Sequence, residues 1–402
     1  MSVEIRRPAK ADGREPWFVT PRLLTTHETG ERRATWLERF FDLVFVVAIT
    51  QLSSQLVLDH STGGFLRFAG LFVPVYVAWQ GYMAYATRFD TDDLGFRIAY
   101  FAAMLAIAAM AVLIGDVAHG VHSAGFVTAY ACLRSFMLAL YLRAWRAVPE
   151  ARELVRLYGI GYAVGVAIWL GSLAFDPPLR YAVWGIALTL ELSLPPLSTG
   201  IHRRIPTSGS HLPERWALFT LIVLGESVVA VAAGTAGTNW RVDSAAAAVL
   251  GFVAVAAVWW LYFDRQASVV LRGSASSVIV YSYAHIPLLM ALAALSAGIR
   301  LLIERAGEHR LGTGASVALL GGVVVYLLSL VATRSVAVTG PRRVGVTLKV
   351  GGAAVILCLL AAESTLPPLA LATGVALVLV AIVFAERTLI GAPDALPVSR
   401  DP

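Results

Sequence analysis

The chain has 402 residues, of which 58% are hydrophobic and only 14% are charged, and its mean hydropathy is +0.72. Charged residues run at about half of the quarter usual in soluble domains, which excludes a soluble globular enzyme, a disordered chain and a secreted disulfide scaffold. The formal net charge of +6 is spread along the chain, with no dense basic tract interleaved with aromatics, so no nucleic-acid partner is expected.

What remains is an all-α polytopic membrane protein. Residues 1–35 carry Arg6, Arg7, Lys10, Arg14, Arg22, Arg32 and Arg33. No apolar core follows this basic start, so it reads as a cytoplasmic tail against anionic lipid head groups rather than a cleavable signal. A bilayer core needs roughly 20 apolar residues per helix. That ruler places twelve spans near 36–57, 64–86, 97–115, 123–143, 155–175, 179–197, 215–234, 243–263, 276–300, 313–333, 344–363 and 367–388. Residues 36–197 then form a first six-helix half and 215–388 a second, joined by a cytoplasmic linker at 198–214 and followed by a cytoplasmic tail at 389–402. Cys132 and Cys358 sit in apolar stretches and read as small buried hydrophobes, not as a disulfide.

Arg and Lys orient the bundle. Segments after even-numbered spans carry Arg88, Arg97, Arg143, Arg146, Arg203, Arg204, Arg215, Arg265, Lys349 and others. They outnumber those after odd-numbered spans by about three to one, which predicts both termini on the cytoplasmic side. The trio Glu38-Arg39-Phe40 opening the first span recurs as Glu214-Arg215-Trp216 opening the seventh, and Tyr85 and Arg88 recur as Tyr262 and Arg265. Six spans per half is the arithmetic of two parallel repeats.

Ionisable groups inside the bilayer are costly and each needs a reason. Arg134, Glu191, Glu226 and His285 fall on four different predicted helices, roughly 13–18 Å from the span ends at 1.5 Å per residue. One shared pocket of two carboxylates, a guanidinium and an imidazole would make a substrate or proton pathway; the alternative is an ion pair that only fixes packing. Pro195-Pro196 and Pro287 predict breaks in the sixth and ninth helices, a common mark of transporter sites. At the cytoplasmic ends, Glu38 and Asp42 share one helix face, and His211 and Glu214 precede the seventh span. These four read as a cytoplasmic gate, with capping and interfacial anchoring as the alternative, above all for Glu214. Trp79, Tyr82, Tyr85, Arg88, Trp259, Trp260, Tyr262 and Arg265 read first as interfacial belts and second as an aromatic cavity wall. No nucleotide-binding, nucleophile-elbow or zinc-binding motif is present, so neither a cofactor nor a metal is expected.

The segments ATWLERFFDLVFVVAITQL (34–52), HLPERWALFTLIVLGESVVAV (211–231) and YSYAHIPLLMAL (281–292) resemble signature blocks of the bacterial low temperature requirement protein A family. The resemblance implies a multispanning membrane protein associated by name with growth in the cold. Its signature positions correspond to Glu38, Phe41, Asp42, His211, Pro213, Glu214, Gly225, Glu226 and His285. The leading expectation is a transporter or permeability protein for a small solute or ion, either coupled to protons through these mid-membrane groups or purely facilitative. The alternatives are an intramembrane enzyme acting on a lipid or isoprenoid, or a structural, stress-related membrane protein.

Overall fold

The computed structural model describes residues 19–24, 35–202, 211–264, 271, 274–338 and 343–390. Twelve long helices account for most of them: α1 (Trp36–Leu58), α2 (Thr62–Ala86), α3 (Leu94–Ala118), α4 (Ser123–Ala147), α5 (Arg152–Gly171), α6 (Leu179–Leu197), α7 (His211–Ala236), α8 (Val242–Phe263), α9 (Ala275–Glu304), α10 (Thr313–Arg334, with one π turn at Val317–Gly321), α11 (Arg343–Ala361) and α12 (Pro368–Ile390). Each coincides with a predicted span. Eleven are long and apolar enough to cross a membrane. The exception is α6, where Arg180, Glu191, Pro195 and Pro196 lower the hydropathy. The chain is a multi-pass α-helical membrane protein.

Local chemistry starts the helices where the spans begin. Thr35, Ser61 and Asp93 sit outside the first turns of α1, α2 and α3, and their side chains accept from the backbone N–H three residues on, at 3.2, 3.2 and 2.9 Å. This satisfies one of the N–H groups that every helix start leaves open.

Neither predicted break is present. Helix α9 runs through Pro287 without interruption, and α6 continues through Pro195 and Pro196 to Leu197. Pro196 lacks the N–H that would reach the Leu192 carbonyl, and the Tyr283 hydroxyl of α9 donates to that carbonyl instead. Neighbouring side chains commonly supply such substitutes within membrane bundles.

The two halves pack in the same order. Helix α1 lies against α2 and α3, and the chain then pairs α3 with α4, α4 with α5 and α5 with α6. In the second half α7 lies against α8 and α9, followed by α9 with α10, α10 with α11 and α11 with α12. The halves meet where α1 packs on α7 and α9. They differ in one respect: α8 packs extensively on α12, whereas α2 touches α6 only lightly. Helix α9 is the most buried candidate span, and the second half of α2 is almost wholly enclosed.

Several expectations need correction. Trp79, Tyr82, Tyr85 and Tyr262 are buried, so they are not an interfacial belt; Trp259 and Trp260 are exposed as a belt requires. Arg88 is buried as well. Cys132 and Cys358 are free and exposed rather than buried. Lys349, counted with the loop cations, lies inside α11 and pairs with Glu386 of α12, both buried. Within the tail, Arg22–Leu23 pairs antiparallel with Phe89–Asp90. The rest of residues 1–18, 25–34 and 203–210, together with Arg265 and residues 391–402, lies outside the described residues.

Candidate functional site

Two buried charge clusters flank the second half of α2. The first sits at the end of the bundle where α1 begins. Glu38 and Asp42, four residues apart and so on one helix face, both turn inward. Arg215, one turn into α7, meets them: its Nη1 donates to Glu38, and its Nη2 to both oxygens of Asp42 at 3.2 Å each. None of the three is more than 5% exposed. From α2, Trp79 Nε1 donates to Asp42 Oδ1 at 2.8 Å, while its ring stacks on Phe219 of α7 at 4.0 Å and 12°. Two carboxylates thus share one guanidinium across the junction of the halves.

Aromatic side chains extend this cluster sideways. Trp216 Nε1 donates to the Tyr76 hydroxyl at 3.1 Å, and that hydroxyl donates to the Ser282 carbonyl at 2.6 Å. His285 ends the chain of rings, its own ring 5.8 Å from that of Trp216. Its Nδ1 faces the Tyr281 carbonyl at 2.7 Å, and its Nε2 faces the Tyr262 hydroxyl at 3.0 Å. The carbonyl requires the hydrogen on Nδ1, so Nε2 accepts from Tyr262.

The second cluster lies on the other side of α2, among α4, α5 and α6. Arg134 Nη2 donates to Glu191 Oε2, and both side chains are fully buried. Tyr130 joins them, accepting from Arg134 Nε at 3.1 Å and donating to Glu191 Oε2 at 2.7 Å. The Arg134 guanidinium lies over the rings of Tyr130 and Tyr162, at 5.1 and 4.9 Å from their centroids. Glycines make the approach possible. A methyl group at Gly81 would come within 2.9 Å of Arg134 Nη1, and one at Gly165 within 3.2 Å of Glu191 Oε1.

The four groups expected in one mid-membrane pocket therefore occupy three places. Arg134 and Glu191 pair. Glu226 of α7 instead accepts from Thr50 of α1 at 2.5 Å. His285 is bound into the aromatic chain beside the first cluster. Of the four gate candidates, Glu38 and Asp42 come together. Glu214 is exposed, and the side chain of His211 lies outside the described residues. Among the described residues no group of His, Cys, Asp and Glu could hold a metal ion.

Sequence reasoning missed Arg215, taken as a loop cation although it opens α7 within the repeated Glu-Arg-aromatic trio. It also missed Tyr130 and Tyr162, which nothing distinguished from other tyrosines in apolar spans. A consequence of the α1–α7 contact is visible along its length: Glu38 meets Arg215 and Thr50 meets Glu226, so the two helices run parallel and in register.

The sequence blocks carrying these side chains fall within one family match. The profile of the bacterial low temperature requirement A protein (LtrA) matches residues 33–384. The chain belongs to the LtrA family. It is also 25% identical, over 326 residues, to an uncharacterized protein of Rhizobium meliloti (strain 1021), covering 76% of this chain and 78% of that one. The LtrA match spans both charge clusters and both halves, from just before α1 into α12.

Proposed function

We propose that this LtrA protein is a proton-linked transporter of the cytoplasmic membrane, with both termini cytoplasmic and membrane lipids around it. Glu38, Asp42 and Arg215 form its cytoplasmic gate, and Arg134 and Glu191 its solute site. The observation that carries the reading is the first cluster. In this buried group two acids share the Arg215 guanidinium, so a proton added to either carboxylate changes its net charge and the strength with which it holds α1 to α7. Such a cluster at the junction of two six-helix halves suits a lock whose release lets the halves move against each other. His211 and Glu214 are not needed for it, and His285 and Glu226 support the surrounding packing.

The test is flux in proteoliposomes, read with an entrapped pH-sensitive dye while a panel of small solutes is presented under an imposed pH gradient. The expected result is solute-dependent proton movement that Asp42→Asn reduces at least tenfold without lowering the melting temperature in detergent. Absence of any solute or proton movement, together with consumption of a lipid by the detergent-solubilised protein, would replace transport with intramembrane enzymology.

A further inference from the structure

The solute site can be given a chemistry. Three buried polar atoms around the second cluster have no hydrogen-bond partner among the described residues: Arg134 Nη1, Glu191 Oε1 and Trp169 Nε1. The first two are the atoms turned toward the glycine clefts at Gly81 and Gly165. The Trp169 ring lies against Tyr130, with centroids 4.5 Å apart. Two of these atoms are donors and one is an acceptor, and one of the donors belongs to the guanidinium itself. Leaving such atoms unfilled in an apolar interior is costly, and their concentration at one place is a mark of a site rather than of packing.

The two halves are filled differently at this place. In the second half, α12 closes directly onto α8. In the first half, α6 stands off from α2, and Arg134, Glu191, Tyr130 and Tyr162 fill the interval.

We propose that this cluster binds a small monocarboxylate together with one proton. The carboxylate takes the place of Glu191 on Arg134, whose planar guanidinium suits two parallel N–H···O bonds. Tyr130 and Trp169 supply further donors. Glu191, parted from its cation in the same apolar surroundings, takes up a proton because an unpaired charge there is costly. The charges balance: the occupied site holds one added anion and one added proton, and its net charge is unchanged. In the resting protein Glu191 acts as a tethered stand-in for the ligand. This inference rests on the transport reading for its purpose, but not for its geometry.

The test uses the full-length protein in nanodiscs, titrated calorimetrically with acetate and with benzoate in two buffers of different ionisation enthalpy. Chloride and guanidinium serve as controls. The expected result is carboxylate binding with uptake of about one proton per site. In Glu191→Gln, which preserves shape, binding should tighten about tenfold and proton uptake should vanish; in Arg134→Gln, binding should be lost. If Arg134→Gln fails to fold, the Glu191→Gln result decides alone. Binding without proton uptake, or uptake unchanged by Glu191→Gln, overturns the proposal. So does flux in proteoliposomes with no carboxylate binding at 10 mM or so, an outcome that leaves transport standing. Carboxylate binding with Glu191-dependent proton uptake but without flux upholds the site and overturns the transport reading instead.

Discussion

At the scale of single residues, the buried charges dominate the energetics because each must be paired where it stands. Removing one partner leaves the other uncompensated, so Arg215→Leu or Arg134→Leu alone should lower stability by about 3–5 kcal/mol. Replacing both members of the second pair, Arg134→Leu with Glu191→Leu, should cost far less, because two leucines fill comparable volume without desolvating charge. Thermal melts of the three variants in detergent check this ordering. Asp93, which lies outside the spans before α3, offers a pH test. Burial pushes its carboxyl up, but hydrogen bonds from Arg143, the Phe96 N–H and the Val19 N–H prevail and hold it below its ordinary value. A lowered value in the folded state means that the stabilisation is present at neutral pH and fades only as the pH falls below about 4, the unfolded value. The segment at 19–24 is tied down by this group through Val19 N at 2.7 Å. A spin label at Thr20 should therefore stay immobile from neutral pH to about pH 5 and loosen below about 4. Asp93→Asn should loosen it at every pH.

Individual helices show which sequence signals carried structural meaning. The twelve spans could be read directly, because an α-helix in lipid must satisfy its own backbone and so announces itself as a long apolar run. Proline did not act as a break, because lost backbone bonds in a crowded bundle can be replaced by a neighbour, as Tyr283 does for Leu192. Tyr283→Phe should accordingly cost about 1 kcal/mol, the usual worth of one such bond. Glycine carries a sharper distinction. Gly159 and Gly165 both lie on α5, but a side chain at Gly159 meets nothing within 4 Å, whereas one at Gly165 presses on Glu191. Gly159→Ala should stabilise by up to about 1 kcal/mol through helix propensity. Gly165→Ala should instead destabilise by about 1–3 kcal/mol through overpacking. Paired melts of the two variants separate these effects with the helix held constant.

Across the whole molecule, helices α1–α6 and α7–α12 make their contacts in a similar order and meet through α1, α7 and α9. The register of α1 against α7 sets the two Glu-Arg-aromatic trios side by side, with Glu38 on Arg215. Sidedness belongs to this scale too. With Cys132 and Cys358 replaced by Ser, single cysteines at Lys10 and Ala395 should resist an impermeant maleimide in intact cells and react after lysis, as cytoplasmic termini require. By itself the sequence determined membrane residence, the number and limits of the helices and the identity of the costly charged residues, since all of these follow from hydropathy read along one dimension. Only the tertiary structure decided which charges meet. Depth along a helix can be counted, but the direction a side chain faces depends on how each helix is rotated against its neighbours. That rotation placed Arg215 between Glu38 and Asp42, gave Arg134 to Glu191, and set Glu226 and His285 among partners of their own.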